Sequence, residues 1–158
     1  MIKASENEQS STRQLIAPVL AVICLAIMVL LNWLWPILTI LRFPFNLGSL
    51  FIGGAGLAIC LAAQRQFKQV GTTLYPFNKP EKLVTDGLFR YTRNPMYLGL
   101  ILLLAGGWLW LGSLSPVGVV VAFQQIAERW YIAHEEQRLG AVFGKVYTDY
   151  QSRTQRWI

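Results

Sequence analysis

Four charged residues stand close together late in an apolar chain: Glu128, Arg129, Glu135 and Glu136. On a helix turning about 100° per residue, Glu128 and Glu135 fall on nearly one line, as do Arg129 and Glu136, and all four share about a third of the circumference. Such a stripe can accept hydrogen bonds from hydroxyl or ammonium groups and, at Arg129, hold a carboxylate. Its structural alternative is that Glu128 and Arg129 neutralise partners on adjacent helices while Glu135 and Glu136 are solvated at a helix end. Charges set into a membrane span are usually tied to function. A second cluster precedes the stripe: Gly87-Leu-Phe-Arg-Tyr-Thr-Arg-Asn-Pro-Met-Tyr-Leu-Gly99. Here two arginines and three aromatics lead into a helix start, with Asn94 as the cap and Pro95 at the first helical position. A helix start offers free backbone donors and a positive dipole end to a carboxylate or phosphate. The same residues suit topogenic arginines with interfacial aromatics, and residue chemistry alone leaves both readings open.

The elements that must position these groups are membrane helices. A chain of 158 residues with 54% hydrophobic and 14% charged residues has too little polar surface for a soluble domain. The fold expected is all-α and polytopic, with spans at about 15–35, 45–63, 95–111 and 114–134, a flexible polar tail at 1–14, and a C-terminal amphipathic helix at the interface. Residues 1–158 then form one membrane domain. In that C-terminal helix Leu139, Val142, Phe143, Val146, Tyr147 and Tyr150 recur at helical spacing, and Trp157 with Arg153 and Arg156 would anchor it at the interface. In the second span Gly54, Ala58 and Ala62 make a packing face for a neighbouring helix. Gly53, Gly54 and Gly56 lie in an apolar helix with no strand before them, which removes the context a phosphate-binding loop requires.

Charge placement gives orientation. The stretch 64–94 holds Arg65, Lys68, Lys79, Lys82, Arg90 and Arg93 against Glu81 and Asp86, whereas between the first two spans the single charge is Arg42, and the turn Gly112-Ser-Leu-Ser115 has none. By the positive-inside rule both termini and the polar clusters are cytoplasmic. The formal charge of +6 therefore reads as membrane orientation, not nucleic-acid binding. Cys24 and Cys60 lie in apolar runs and His134 is the one histidine, so neither a metal site nor a disulfide is expected.

The order Gly71-Thr72, Pro76, Leu83-Val84, Gly87, then Arg90-Tyr91-x-Arg93-Asn94-Pro95-Met96-Tyr97-Leu98-Gly99, and later Glu135-Glu136, Leu139, Phe143-Gly144, Tyr147 and Tyr150 resembles the isoprenylcysteine carboxyl methyltransferase and phospholipid methyltransferase family. The resemblance covers about half the chain, and both motifs stand in order around one hairpin of spans. It implies S-adenosylmethionine as cofactor, a lipophilic or prenylated acceptor, and membrane lipids as surroundings. Carried over, the cofactor site comprises Arg93, Asn94, Pro95, Tyr97, Leu98, Gly99, His134, Glu135 and Glu136. Glu128 and Arg129, one helical stretch away, are the candidate catalytic pair. The chain departs from the family pattern at Asn94, where histidine is common; an amide donates and accepts hydrogen bonds but does not titrate near neutral pH. It also lacks the proline-bearing tail of many members. Gly99 and Gly106, on one face of the third span, would leave room for a lipid tail.

Two other classes compete. Membrane sterol-type reductases carry a similar arginine-x-proline segment, which would make NADPH the cofactor, although the paired glutamates speak against it. A small transporter or scaffold would explain the embedded charges but leave the two ordered motifs as coincidence.

Overall fold

The computed structural model describes residues 2–69 and 83–158, with side chains from Ala17 onward. Gly71, Thr72, Pro76, Lys79, Glu81 and Lys82 lie outside the described residues. The described chain is all-helical: α1 (Ile2–Leu34), α2 (Ser49–Gln69), α3 (Pro95–Leu111), α4 (Val117–Ile126), a π-helical turn (Ala127–Ile132), α5 (Ala133–Phe143) and α6 (Lys145–Arg153), with short 3₁₀ turns at Phe45–Gly48 and Gly87–Arg90. Two segments, Ala17–Leu34 and Phe45–Gln69, are long and apolar enough to cross a membrane. α1 begins at Ile2, within the stretch 1–14 expected as a polar tail. Its Lys, Ala, Glu, Gln and Arg residues are good helix formers, and extending an existing helix avoids the cost of nucleation.

In α1, Ala17, Ala21, Cys24 and Met28 form a stripe at spacings of four, three and four, and all are buried. They meet Tyr97 and Leu104 of α3, Val120 and Phe123 of α4, and Ala127 and Ile132 of the π-helical turn in one cluster. The opposite face of α1, with Val22, Val29 and Trp33, is exposed, as are Leu50, Phe51 and Leu57 of α2. A fully buried leucine gains about 1.5–3 kcal/mol on leaving water. Against lipid that gain is largely absent, so close approach and van der Waals contact have to hold such helices together.

The α2–α3 pair meets that requirement with glycine. A Cβ on Gly56 would sit 2.6 Å from the Gly99 carbonyl oxygen, one on Gly99 would sit 2.7 Å from the Gly56 carbonyl oxygen, and one on Gly106 would sit 2.6 Å from the Gly53 Cα. The contact face is thus Ser49, Gly53, Gly56, Cys60 and Ala63. The expected face fails at Gly54, where a Cβ would meet nothing within 4 Å, and Ala58 is exposed. Four-residue spacing of small residues occurs on both faces of α2, and α3's own glycines select between them. Gly99 and Gly106 are filled by α2 and leave no room for a lipid tail.

One end of the molecule is closed by backbone pairing. Gly112, in the left-handed conformation that ends α3, accepts hydrogen bonds from Ile40 N and Leu41 N at 2.7 and 3.1 Å, and Ser113 Oγ donates to Asn32 Oδ1 at 2.5 Å. The polar clusters lie at the other end, where α3 begins.

Candidate functional site

The first half of the site is the turn before α3. Asn94 precedes a proline, which disfavours helical geometry for it, and it adopts φ −129° and ψ 54° while Pro95 opens the helix. Its side chain makes no capping hydrogen bond; instead Asn94 Nδ2 donates to the Arg156 carbonyl at 3.1 Å. The expected cap is therefore corrected: the buried amide reaches the C-terminal arm, because that carbonyl lies within its reach. Thr92 Oγ1 donates to the same carbonyl at 3.0 Å and accepts from Asn94 N at 3.2 Å, and Arg93 N donates to Gln155 O at 3.0 Å. Tyr150 Oη donates to Phe89 O at 2.6 Å, and Leu88 N donates to Gln66 Oε1 of α2 at 3.2 Å. The turn is held from three directions.

The second half comes from the column formed by α4, the π-helical turn and α5. Glu136 Oε1 lies 3.2 Å from Arg93 Nη1, and its Oε2 accepts from Arg156 Nη2 at 2.6 Å. Arg156 also donates through Nε to Glu136 Oε1 at 3.2 Å and through Nη1 to Glu128 Oε1 at 3.1 Å. These hydrogen bonds to Glu136 and then Glu128 hold the Arg156 guanidinium charged, above its ordinary range. Tyr97 Oη donates to Glu135 Oε1 at 3.0 Å. Burial, with Glu136 nearby, pushes the Tyr147 phenol up against the lowering pull of Arg93. The Arg93 guanidinium is largely buried, and its Nε and Nη1 have no hydrogen-bond partner among the described residues. Nη1 is close enough to Glu136 for charge attraction but off the line of a hydrogen bond. Unpaired buried guanidinium protons are costly and suit a planar carboxylate.

The phospholipid methyltransferase family model matches residues 44–146, from the turn before α2 to the start of α6. The chain belongs to the phospholipid methyltransferase family. An uncharacterised protein of Haemophilus influenzae is 41% identical over 64 residues, which make up 40% of this chain and all of that protein. No solved structure matches. The match includes both polar clusters of this chain but ends before Arg156.

Of the residues expected at the site, Arg93, Asn94, Pro95, Tyr97, Glu128, Glu135 and Glu136 gather at the start of α3. Leu98 is half-buried beside them. Gly99 faces α2, as described above, and its small size answers to helix packing. Arg129 and His134 are exposed and line a shallow outer cleft with Trp130, Ala133 and Gln137. The expected Glu128–Arg129 pair is thus divided, Glu128 turning to the arm and Arg129 away from it.

The cause lies in the π-helical turn. Its wider i→i+5 closure places more residues in a turn than an α-helix does, so the alignment computed at a uniform helical period is lost. Glu128 shares a partner with Glu136 instead of standing in line with Glu135. The continuous C-terminal helix expected from its periodicity is also broken, at Gly144, where φ is +52°. This break lets α6 fold back so that Tyr147 is buried. Arg156 and Trp157, expected as interfacial anchors, turn inward: Arg156 binds two carboxylates, and Trp157 packs on the core cluster. Thr92 and Gln66 were not singled out by the sequence, and Arg156 was read there as an anchor, not as a site residue. The signal for Arg156 was the excess of carboxylates over arginines in the stripe, which calls for another cation.

Proposed function

We propose that this protein transfers a methyl group from S-adenosylmethionine to a lipophilic acceptor, either an isoprenylcysteine-type carboxylate or a phospholipid amine, at the cytoplasmic membrane face. The observation that carries this reading is the 3.2 Å approach of Arg93 from one motif to Glu136 from the other, in a chain of a methyltransferase family. The residues present fit the cofactor. Arg93, whose Nε and Nη1 have no hydrogen-bond partner among the described residues, would hold its carboxylate, and Glu135, Glu136 and Tyr97 would receive its ammonium and ribose hydroxyls. Bound there, the cofactor supplies a methyl group already activated on a sulfonium sulfur.

The work left to the protein is alignment and exclusion of water. The buried turn at Thr92–Pro95 and the arm over it provide a rigid wall, and Glu128 orients Arg156 without acting as a base. In this reading residues 1–158 are one membrane unit crossed by α1, α2, α3 and the α4–α5 column. The charge-poor turns are outside, the site and both termini are inside, and α5–α6 runs on to the interface.

The test is methyl transfer in lipid nanodiscs. The protein is given methyl-labelled S-adenosylmethionine with a farnesylcysteine analogue or with phosphatidylethanolamine, and label is followed into the organic phase. Label in one acceptor is expected. A folded sample that transfers no label but oxidises NADPH with a lipid enone would overturn the proposal.

A further inference from the structure

Arg156 touches both halves of the site with different atoms. Its carbonyl accepts hydrogen bonds from Thr92 Oγ1 and Asn94 Nδ2, while its guanidinium holds Glu136 and Glu128. Arg93, Arg156, Glu128 and Glu136 together make a charge-balanced set: two cations and two anions. Glu136 is 13% exposed and Glu128 32%, so an uncompensated carboxylate there would be poorly screened. The arm carrying Arg156 lies beyond the segment matched by the family model, and neither motif contains it.

We infer that Arg156 is a positioning residue for cofactor binding: from the C-terminal arm it balances Glu128 and Glu136 and fixes α5 against the start of α3. The inference rests on the proposed methyltransferase reading. Arg156 acts through the two carboxylates and does not itself touch the cofactor. A substitution at Arg156 keeps its carbonyl, and hence the arm's backbone hydrogen bonds, so the contribution of the guanidinium can be isolated.

The experiment is titration of detergent-purified wild type, Arg156→Ala, Arg156→Lys and the double variant Glu128→Gln/Arg156→Ala with S-adenosylhomocysteine, with helicity checked by circular dichroism. Arg156→Ala should bind roughly tenfold or more weakly, as for loss of one partner from a partly desolvated charge pair. Glu128→Gln added to it restores the charge balance and should recover roughly threefold or more. Arg156→Lys should bind between wild type and alanine, because an ammonium keeps the charge but not the fork that spans two carboxylates. Should Arg156→Ala fail to fold, the Lys variant carries the test. Wild-type affinity in Arg156→Ala or Arg156→Lys would overturn the inference, as would a weak Ala variant that the Glu128 change does not rescue. Failure of wild type itself to bind S-adenosylhomocysteine would instead overturn the underlying functional reading.

Discussion

Glu136 Oε2 lies 2.6 Å from Arg156 Nη2, while its Oε1 faces Arg93 Nη1 at 3.2 Å. One carboxylate thus receives two guanidinium groups from segments far apart in the chain. Exposed ion pairs contribute about 0–1 kcal/mol, but breaking a largely buried pair costs about 3–5 kcal/mol because the remaining charge is stranded. At 13% exposure, Glu136 is closer to the second case.

Glu136→Ala should therefore cost stability as well as affinity. The expected loss is about 2–4 kcal/mol, short of the full buried value because Glu128 still balances Arg156. Chemical denaturation in mixed micelles measures it, and a change below about 0.5 kcal/mol, the range of ordinary surface substitutions, would contradict the network.

Glu135→Gln separates binding from folding. The amide oxygen still accepts from Tyr97, so the fold should persist, while loss of the negative charge should weaken S-adenosylhomocysteine binding by roughly tenfold. Unchanged affinity would remove Glu135 from the site.

These side chains show how far the sequence could be read. Helix positions and the two clusters were legible because apolar length, Asn94-Pro95 and the charge stripe are local signals. The partners of Glu128 and Glu136 were not, because the π-helical turn changes the helical phase and Gly144 folds the chain back, placing Arg156 where no local periodicity points. Gly99 carries a related ambiguity. A glycine in a motif can serve a ligand or a helix contact, and only the position of α2 decides between them.

Gly99→Ala should consequently act on packing. Its Cβ would meet Cys60 Sγ at 2.5 Å and the Gly56 carbonyl at 2.7 Å, an overpacking expected to cost about 1–3 kcal/mol. Thermal unfolding should show the loss, with the cofactor affinity of the folded fraction close to wild type. The reverse pattern would return Gly99 to the binding site.

Asn94→His should retain the bond to the Arg156 carbonyl through a ring N–H, whereas Asn94→Asp places a carboxylate against that oxygen. Digestion with a carboxypeptidase reads the docking of the arm. The Asp variant should release the C-terminal residues faster than the His variant, and equal rates would show that this hydrogen bond does not hold the arm.

Burial pushes the Tyr150 phenol up to about 12 from its ordinary 10.0, with Tyr147 adding to the rise and Arg93 opposing it. A raised tyrosine favours the neutral form in the fold, so its stabilisation is intact below pH 10 and is lost as pH rises through about 12. Tyr150→Phe should flatten the loss of stability across that window. An unchanged alkaline profile would contradict the burial of this phenol.

The central claim is that the clusters at the start of α3 and along α5 form one S-adenosylmethionine site. Calorimetric titration of the purified wild-type protein with S-adenosylhomocysteine, and separately with NADPH, tests it most directly. Saturable binding of the first alone is the predicted result; binding of NADPH alone, or of neither by a folded sample, would contradict the account.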